Sequence, residues 1–362
     1  MMIRDDLYYF DALPDHPAPE PGEAGTGYLA RLFDLNDTDV PSDLTVPMPP
    51  KGRPIHVSRM RDMPPLSYRI LEDLTVCSEE RLRTTTFHHV VRKFLGPTTR
   101  SRSVKGFLGS SIACTVRYCP HCLSDHRYYR LIWRFTAVTG CVEHKRLLMD
   151  RCGQCGKTIP LFAAHVPSGI CPACRADLAR WDGAAMAADK QTALADRVAD
   201  IEFLVTPHAC EEGSGDTLRA IGAHFRHLRE ANHLLPHEVY ARLPITPLKS
   251  TQAIERGTLQ GSLNTYIVYA TFYGVTLRHL FTPPPAEDAV PEATRRRQDR
   301  ERATLHRIQR ALEDLTLPPI LYSKTEAAEA VAAHLGISTG FLSCPGVADL
   351  FASYYRDHKV VP

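Results

Sequence analysis

The chain has 362 residues, which is enough for two or three domains of ordinary size. Hydrophobic residues make up 44% of it and charged residues 23%, as is typical of soluble globular proteins, and no apolar run is long enough to cross a bilayer. The first residues lack the apolar region of a secretory signal, so we expect a cytoplasmic protein whose eleven cysteines stay reduced. The odd number of cysteines also disfavours a fully paired disulfide framework.

The net charge of +2 conceals an uneven distribution of charged residues. Residues 1–50 contain 2 basic and 10 acidic side chains, whereas residues 51–151, the basic block, contain 19 basic and 8 acidic ones. A block of this kind is typical of proteins that contact the phosphates of DNA or RNA. Alternatively, the acidic head neutralises the block within the fold, and charge counts alone do not decide between the two.

The pattern of apolar residues predicts a mainly α-helical fold, with short strands only around a cysteine-rich region. Residues 1–27 are acidic and rich in Pro and Gly, which indicates an extended arm, and YLARLFDL at 28–35 has the apolar spacing of a first helix. Residues 41–66 resemble a loop because seven prolines interrupt them. Two or three short helices are expected over 66–95, followed by a polar, basic connection at 96–116.

The second half of the chain is also predicted to be helical. We expect an amphipathic helix over 184–205 and a compact helical unit over 216–281. The segment TPPPAEDAVPEAT then indicates a linker, followed by a basic helix at 294–315 and a last helical unit at 320–357. The predicted organisation is a helical part over 1–116, a metal-binding module over 117–181, a helical domain over 182–281, a linker over 282–294 and a helical unit over 295–362.

Eight residues of the cysteine-rich region form four pairs, each with two residues between its members. Two intervening residues place both side chains on one tight turn, where they reach the same metal ion. The spacers between successive pairs contain 18, 7 and 15 residues, and the two longer ones suit zinc-ribbon sites closed by turns from separate segments. The predicted first site is Cys119, Cys122, Cys141 and His144, and the predicted second site is Cys152, Cys155, Cys171 and Cys174.

Complete sets of four ligands predict two structural zinc ions per chain, because no coordination position is left for substrate. A redox-active Cys-x-x-Cys pair is the competing interpretation, and four pairs within 56 residues argue against it. An interleaved arrangement that joins the first and third pairs stays open. Cys114 is a possible substitute ligand for Cys119, whereas Cys77, Cys210 and Cys344 are expected to be small buried hydrophobic residues.

The residues around these ligands resemble a known family. The runs RYCPHCLSDHRYYRLIWRF, CVEHKRLLMDRCGQCG and CPACRADL are similar to the signature of the TniQ/TnsD family of transposon target-selection proteins. Upstream, PGEAGTGYLARLFDLN resembles the opening of that family, although Ala24, Gly25 and Thr26 depart from its pattern. The resemblance covers residues 13–180. It implies an adaptor that binds a target, either DNA or an RNA-guided effector complex of a CRISPR-associated transposon, and recruits an AAA+ ATPase and a transposase.

The stretch 217–281 resembles a Cro/repressor-type (XRE) helix-turn-helix domain. The resemblance rests on Ile254–Gly257, on Tyr269–Ala270 and on Gly257 and Gly274, which stand where helices should end with a left-handed cap. Such a domain has five short helices, of which the third lies in the major groove of DNA. We therefore predict DNA contacts for Lys249, Ser250, Gln252 and Arg256. A helical protein-interaction module is the alternative, and repressor-like folds often act as dimers.

A second, shorter helix-turn-helix candidate lies near residue 340. Ala332, Gly336 and Leu342 have the small, turn and apolar spacing of such pairs, and a protein-docking role is the alternative.

The sequence contains no P-loop, no G-x-S-x-G, no HExxH and no group of carboxylates suited to a nuclease, so we do not expect an enzyme. The predicted function is a target-selection adaptor, and the alternative is a stand-alone zinc-containing transcriptional regulator.

Overall fold

The structure is a computed structural model of the chain. It describes residues 12–48, 53–95, 101–207, 215–243, 248–281, 308–312, 314, 324–335, 347 and 350. These residues are mainly helical with a few short strands, as predicted. Contacts between residues divide the chain into two units, the first comprising Met1–Arg226 and Pro236–Pro284, and the second comprising His227–Leu235 and Pro285–Pro362. No helix among the described residues combines the length and the apolarity that crossing a membrane requires.

The secondary structure begins with a helix and a hairpin, continues through short helices and the cysteine-rich region, and ends in longer helices. The helices are α1 Gly25–Leu35, α2 Arg69–Thr75, α3 Glu79–Thr84, α4 His88–Leu95, α5 Ser101–Leu108, α6 Pro120–Asp125, α7 Ala188–Val205, α8 Gly215–Ala231, α9 Pro236–Arg242, α10 Leu248–Glu255 and α11 Leu263–Tyr273. The strands form two antiparallel pairs, β1 Thr45–Met48 with β2 Arg53–His56, and β3 Gly140–Cys141 with β4 Arg146–Leu147. Short 3-10 helices occur at Val57–Arg59, Gly109–Ser111, Leu131–Arg134, Leu178–Arg180 and Leu277–Phe281.

Two differences from the prediction concern residues before the cysteine-rich region. The segment 41–66, predicted as a loop, contains the β1–β2 hairpin, in which Pro47 lies opposite Pro54. Proline is tolerated because each strand of a two-stranded sheet is an edge strand and does not need every amide for the ladder. The segment predicted as a polar connection contains α5, which buries Val104, Phe107 and Leu108. These three residues have helical spacing, but polar and glycine residues surround them in the sequence.

The first core lies beneath α1, the hairpin and α2. Its buried members come from α1, from the hairpin and the residues beside it, and from α2, α3 and the residues beside them: Tyr28, Leu29, Leu32, Phe33, Leu44, Val46, Val57, Met60, Tyr68, Leu71, Leu74, Cys77 and Leu82. Cys77 is therefore a small buried residue of this core, as predicted. The helix α1 uses the helical spacing of its apolar residues to present one face to the core. Burial of this many large apolar side chains is the main stabilising contribution of the region.

The helix α1 starts three residues earlier than predicted, because distant residues fix its first turn. The amide of Gly25 donates to the carbonyl of Thr85 at 2.8 Å, and a Cβ atom at Gly25 would lie 2.9 Å from the Thr85 Oγ1. The amide and hydroxyl of Thr26 both donate to Asp62 Oδ1, at 2.6 and 2.7 Å. Asp62 thus accepts the free amide of Thr26 at the start of α1 as an N-cap residue would, from 36 positions away.

Asp62 also forms a buried ion pair with Arg134. The Arg134 guanidinium contacts Asp62 Oδ2, and the two side chains are 5% and 0% exposed. Arg134 donates in addition to the carbonyl of Ala113 at 2.9 Å and lies over the ring of Phe87. Because Arg134 belongs to the cysteine-rich region, this polar cluster ties the first helix to the segment that carries the metal ligands.

A cluster of aromatic rings joins the short helices to the helices of the second half. The ring of Phe94 in α4 stacks on Tyr266 in α11 at 5.1 Å between centroids, and it also contacts Phe107 and Phe281 at 5.0 Å each. Phe225 of α8 stacks on the other side of Tyr266 at 6.0 Å. Within the first unit, these helices therefore share aromatic packing with α4 and α5.

The helices α8, α9, α10, α11 and the 3-10 helix at Leu277–Phe281 occur in the order expected of a five-helix repressor-like domain. Gly257 and Gly274 have φ angles of 66° and 65°, which confirms the two predicted left-handed helix ends. At Gly222 of α8, a Cβ atom would lie 2.5 Å from the carbonyl oxygen of Ile254, so α8 and α10 approach closely only because this residue is glycine. Helix order does not establish the repressor-type fold, which remains a prediction.

The second unit contains a described helix at Lys324–Leu335, in which Ala332 is buried. Gly336 and Leu342 of the predicted C-terminal pair, residues 294–307 of the predicted basic helix, and Cys210 and Cys344 lie outside the described residues. The predicted domain boundaries stay predictions.

Candidate metal centres

Cys119, Cys122, Cys141 and His144 lie together in the first unit as the first metal centre. Cys119 is the residue before α6 and Cys122 is in its first turn, where Pro120 occupies the first helical position. Cys141 ends β3, and His144 lies in the tight turn that leads to β4. The three cysteines are buried and the histidine is partly exposed.

The distances in the first centre match those of a tetrahedral metal site. The His144 Nδ1 lies 3.6, 3.3 and 3.5 Å from the Sγ atoms of Cys119, Cys122 and Cys141, and the Sγ atoms of Cys122 and Cys141 are 3.6 Å apart. A tetrahedron with metal–sulfur bonds of about 2.3 Å and metal–nitrogen bonds of about 2.0 Å predicts separations of about 3.8 and 3.5 Å. A disulfide would need about 2.05 Å between the sulfur atoms. The four side chains therefore fit one metal ion.

Cys152, Cys155, Cys171 and Cys174 form the second metal centre. Their Sγ atoms are 3.6 Å apart between Cys152 and Cys174, and 3.7 Å apart between Cys155 and Cys171. These separations again agree with the value of about 3.8 Å for a tetrahedral ion bound by four thiolates. The structure groups the eight residues in the two sequential sets that the spacing predicted, and not in the interleaved arrangement.

Three of the four ligand turns end with a residue in the left-handed conformation directly after the second ligand. The φ angles are 53° at Lys145, 68° at Gly156 and 60° at Arg175. In the second centre, the amide of Gly156 donates to the carbonyl of Cys152, and that of Arg175 donates to the carbonyl of Cys171, both at 2.9 Å. The repeated turn brings each pair of ligands to one side of the backbone. It also accounts for the second glycine of the run CGQCG, because glycine adopts a positive φ without strain.

The first glycine of that run, Gly153, has a different cause. A Cβ atom at Gly153 would lie 2.4 Å from Cδ2 of Trp181, and other ring atoms would be within 2.8 Å. The indole ring thus packs directly on the backbone of the ligand turn and leaves no room for a side chain. The run itself does not indicate which ring covers Gly153, because Trp181 lies in a later segment of the chain.

Side chains between the ligands link the two centres. Arg127, which lies between Cys122 and Cys141, forms a bidentate ion pair with Asp177, and both hydrogen bonds are 2.8 Å long. The hydrogen bonds from Arg127 are the main reason why the pKa of Asp177 is lowered to about 2. The hydroxyl of Tyr118 donates to the carbonyl of Arg151 at 2.9 Å. These contacts hold Tyr118, which precedes the first ligand, and the segment between Cys122 and Cys141 against the second centre.

Polar groups next to the first centre orient its ligands. The second ring nitrogen of His144, Nε2, lies 3.7 Å from Asp125 Oδ2, a placement that suits a carboxylate supporting a metal-bound imidazole. Arg130 pairs with Glu143 at 2.7 and 3.1 Å and lies over the ring of Trp133, which is 2% exposed. Trp133 is therefore a buried packing residue beside the centre. Both centres could hold metal ions and are consistent with zinc, because thiolate-rich tetrahedral sets suit that ion.

Cys114 does not belong to either centre. It is exposed, whereas Cys119 and the other two cysteines of the first centre are buried and lie around the partly exposed His144. Cys114 therefore does not replace Cys119 as a ligand of the first centre.

The four residues predicted to contact DNA lie on or just after α10. Lys249 and Arg256 are exposed, and Ser250 and Gln252 are half-buried. Lys249, Gln252 and Arg256 are spaced at i, i+3 and i+7, so they follow one face of the helix. Thr251 and Ile254 on the other side are buried, and Thr251 accepts a hydrogen bond from the hydroxyl of Tyr269 at 3.2 Å.

A comparison with protein-family models gives a match. The TniQ family model matches residues 14–148. The matched range extends from the arm before α1 to just beyond His144, so it contains the whole first metal centre and none of the second. The comparison with curated proteins found no match. The family match supports the TniQ family for residues 14–148 and, with it, a function associated with transposition.

Proposed function

We propose that this protein is a target-selection adaptor of a transposition system. In this role it binds a target, either DNA or an RNA-guided effector complex, and recruits an AAA+ ATPase and, through it, the transposase. The observation that carries the proposal is the TniQ family match over residues 14–148. The match gives no indication of catalysis, and the proposed role is a non-enzymatic one.

The two metal centres serve this role as structural elements. We assign one zinc ion to each, because each set offers four ligands and leaves no position for water or substrate. The segment between Cys122 and Cys141 carries Arg134, whose ion pair with Asp62 reaches the first turn of α1. Binding of the first ion thus stabilises the hydrogen-bonded contact between the metal-binding segment and the first helix.

The exposed face of α10 supports a contact with DNA. Lys249 and Arg256 provide two cations about seven residues apart along the helix, and Gln252 lies between them on the same face. Cationic side chains bind phosphates, whereas an amide such as that of Gln252 reads base edges. The buried side of the helix packs on α8 and α11, which would hold the exposed face in a fixed orientation. The same face favours a stand-alone transcriptional regulator as a second candidate, and a homodimer is compatible with both.

A gel-shift experiment separates the two candidates. The full-length protein is mixed with the DNA that flanks the element and with DNA from its own promoter, with and without the purified AAA+ ATPase of the same gene neighbourhood. The adaptor proposal predicts binding to the flanking DNA, or to a guide-RNA complex, together with a supershift by the ATPase. Binding only to the promoter, with no detectable ATPase affinity, would contradict it and support the regulator.

The contribution of α10 is tested with Lys249→Ala and Arg256→Ala. If each cation contacts a phosphate, the slope of log affinity against log salt concentration falls by about one per substitution. Arg69→Ala is the matched control, because Arg69 is an exposed arginine of α2 far from α10 in sequence. Slopes unchanged by both α10 substitutions would remove the helix from the DNA contact while leaving the adaptor role untouched.

A further inference from the structure

An apolar groove lies in the first unit, between the β1–β2 hairpin and α5. Its volume is about 1140 Å³. This exceeds the range of roughly 300 to 1,000 Å³ that is usual for sites that enclose a small molecule. All of its walls come from residues before the second metal centre, and neither metal centre contributes a ligand to it.

The floor of the groove is made of aliphatic and thioether side chains. Three methionines, Met48, Met60 and Met63, lie along it, and Ile55 of the hairpin and Leu108 of α5 face them. Methionine side chains are flexible and polarisable, so a methionine-lined surface adapts to varied apolar side chains. Such surfaces are typical of grooves that bind amphipathic peptides.

Cations surround this apolar floor. Arg59, Arg61 and Lys105 line the groove and are exposed, and no aspartate or glutamate is among its lining residues. Arg61 and Asp62 both have left-handed backbone angles, with φ of 54° and 59°. Asp62 enters the buried ion pair with Arg134 while its neighbour Arg61 remains at the surface. The buried pair therefore fixes the turn that presents Arg61 at the rim.

The lining disfavours nucleic acid as the occupant. Sites for single-stranded nucleic acid combine cations with aromatic rings on which bases stack, and none of the described residues that line the groove is aromatic. An apolar floor also offers a phosphate backbone no polar partner. Carboxylates, in contrast, pair with arginine and lysine at the rim while neighbouring apolar side chains enter the floor.

We propose that the groove binds an acidic peptide segment of a partner protein, with large apolar side chains on the methionine floor and Asp or Glu side chains on Arg59, Arg61 and Lys105. The apolar surface continues next to the groove, since Leu66 is 56% exposed and its amide donates to the carbonyl of Pro47, beside Met48. Exposed apolar surface of this kind marks protein-binding sites. The inference rests on the groove and does not depend on a role in transposition.

The test uses a phage-displayed library of random 12-residue peptides, panned against the full-length, zinc-loaded protein. The expected result is enrichment of sequences that combine Asp or Glu with Leu, Met, Phe or Trp. The most enriched peptide is then synthesised with a fluorescent label, and its affinity is measured by fluorescence polarisation. A version with every Asp and Glu replaced by Lys is the matched peptide and is expected not to bind.

Two protein variants locate the site. Arg59→Glu reverses a rim charge at an exposed position, and Met63→Glu places a carboxylate on the floor; each should weaken binding about tenfold or more. Arg69→Glu, an exposed charge reversal outside the groove, should leave the affinity unchanged. Circular dichroism melts show whether the Met63 variant folds, and Arg59→Glu decides the question if it does not. Enriched peptides without acidic residues, or equal affinity for Arg59→Glu and the unchanged protein, would overturn the proposal. Binding that appears only after removal of residues 1–11 would also overturn it, because the chain itself would then be the occupant.

Discussion

Replacement of Asp62 by alanine tests how the first helix is fixed to the metal-binding region. The Asp62 carboxylate accepts hydrogen bonds from the amide and hydroxyl of Thr26 and pairs with Arg134, and all of these contacts are buried. The substitution removes the acceptor of the helix cap. It also leaves a guanidinium that is 5% exposed without its counter-ion.

The magnitude follows from these two losses. Loss of an N-cap interaction costs about 1 kcal/mol of the free energy of unfolding. Leaving one member of a buried ion pair unpaired costs about 3 to 5 kcal/mol. Arg134 keeps its hydrogen bond to Ala113 and its position over the ring of Phe87, which favours the lower end of that range. We therefore expect Asp62→Ala to lower the free energy of unfolding by about 4 kcal/mol.

The assay is urea unfolding of the full-length, zinc-saturated protein, followed by the fluorescence of its two tryptophans. A double-mutant cycle with Arg134→Met separates the ion pair from the helix cap. The double variant has no unpaired buried charge, so its loss should be smaller than the sum of the single losses by about 2 to 3 kcal/mol. Asp73→Ala, at an exposed position of α2, is the control and should change stability by less than about 0.5 kcal/mol. A loss below about 1 kcal/mol for Asp62→Ala, or additive single losses, would refute the reasoning.

Three further predictions concern the metal centres. Metal analysis should find about two zinc ions per chain, and Cys155→Ser should reduce the number to about one and unfold the second centre; a single ion in the unchanged protein would contradict the two-centre assignment. Gly153→Ala should force Trp181 off the ligand turn and cost about 1 to 3 kcal/mol, and a crystal structure with the indole in place would argue against that contact. The pKa of Asp177 should be about 2 in the folded protein, so the stability from its pair with Arg127 is present above pH 4 or so and is lost as the pH falls through the folded pKa. A carboxyl titration of Asp177 by NMR near the ordinary value would show that the pair is not formed.

The parts that sequence predicted well depend on local spacing. Two residues between ligands define one turn, and the short spacer between His144 and Cys152 separates the two centres, so the grouping needs no knowledge of the rest of the fold. The helix ends at Gly257 and Gly274 are local for the same reason, because a single residue supplies the positive φ. Local signals also predicted two or three short helices between 66 and 95, and the structure has three there.

Counts of charged residues could not predict how many cations of the basic block are exposed. Several of its cations lie inside the fold and donate hydrogen bonds to backbone carbonyls. Arg117 donates to the carbonyls of Phe135 and Val138 at 2.8 and 2.6 Å. Lys93, 1% exposed, donates to the carbonyl of Thr206 at 2.6 Å at the end of α7. A count of lysines and arginines cannot separate these internal donors from the exposed cations, because the difference arises only from packing.

Contacts between residues that are distant in sequence could not be predicted for a related reason. Asp62 and Arg134 are 72 positions apart, and nothing in the run that contains Arg134 indicates Asp62 as its partner. The apolar groove is assembled from the hairpin, a turn and α5, and the prolines and polar residues of those segments indicated loops when they were considered one at a time. Sequence therefore predicted the metal centres and the helix order, but not the surface on which the further inference rests.

The contact between Thr26, Asp62 and Arg134 has a consequence for the synthesis of the protein. The ribosome releases Thr26 and Asp62 early, but Arg134 emerges only with the segment that closes the first metal centre. Until then Asp62 lacks the ion pair of its Oδ2 atom with Arg134. The start of α1 then has only the hydrogen bonds from Thr26 to Asp62 Oδ1. A nascent chain that stops before Arg134 should consequently leave α1 open to proteolysis, and release of the segment that carries Arg134 should protect it.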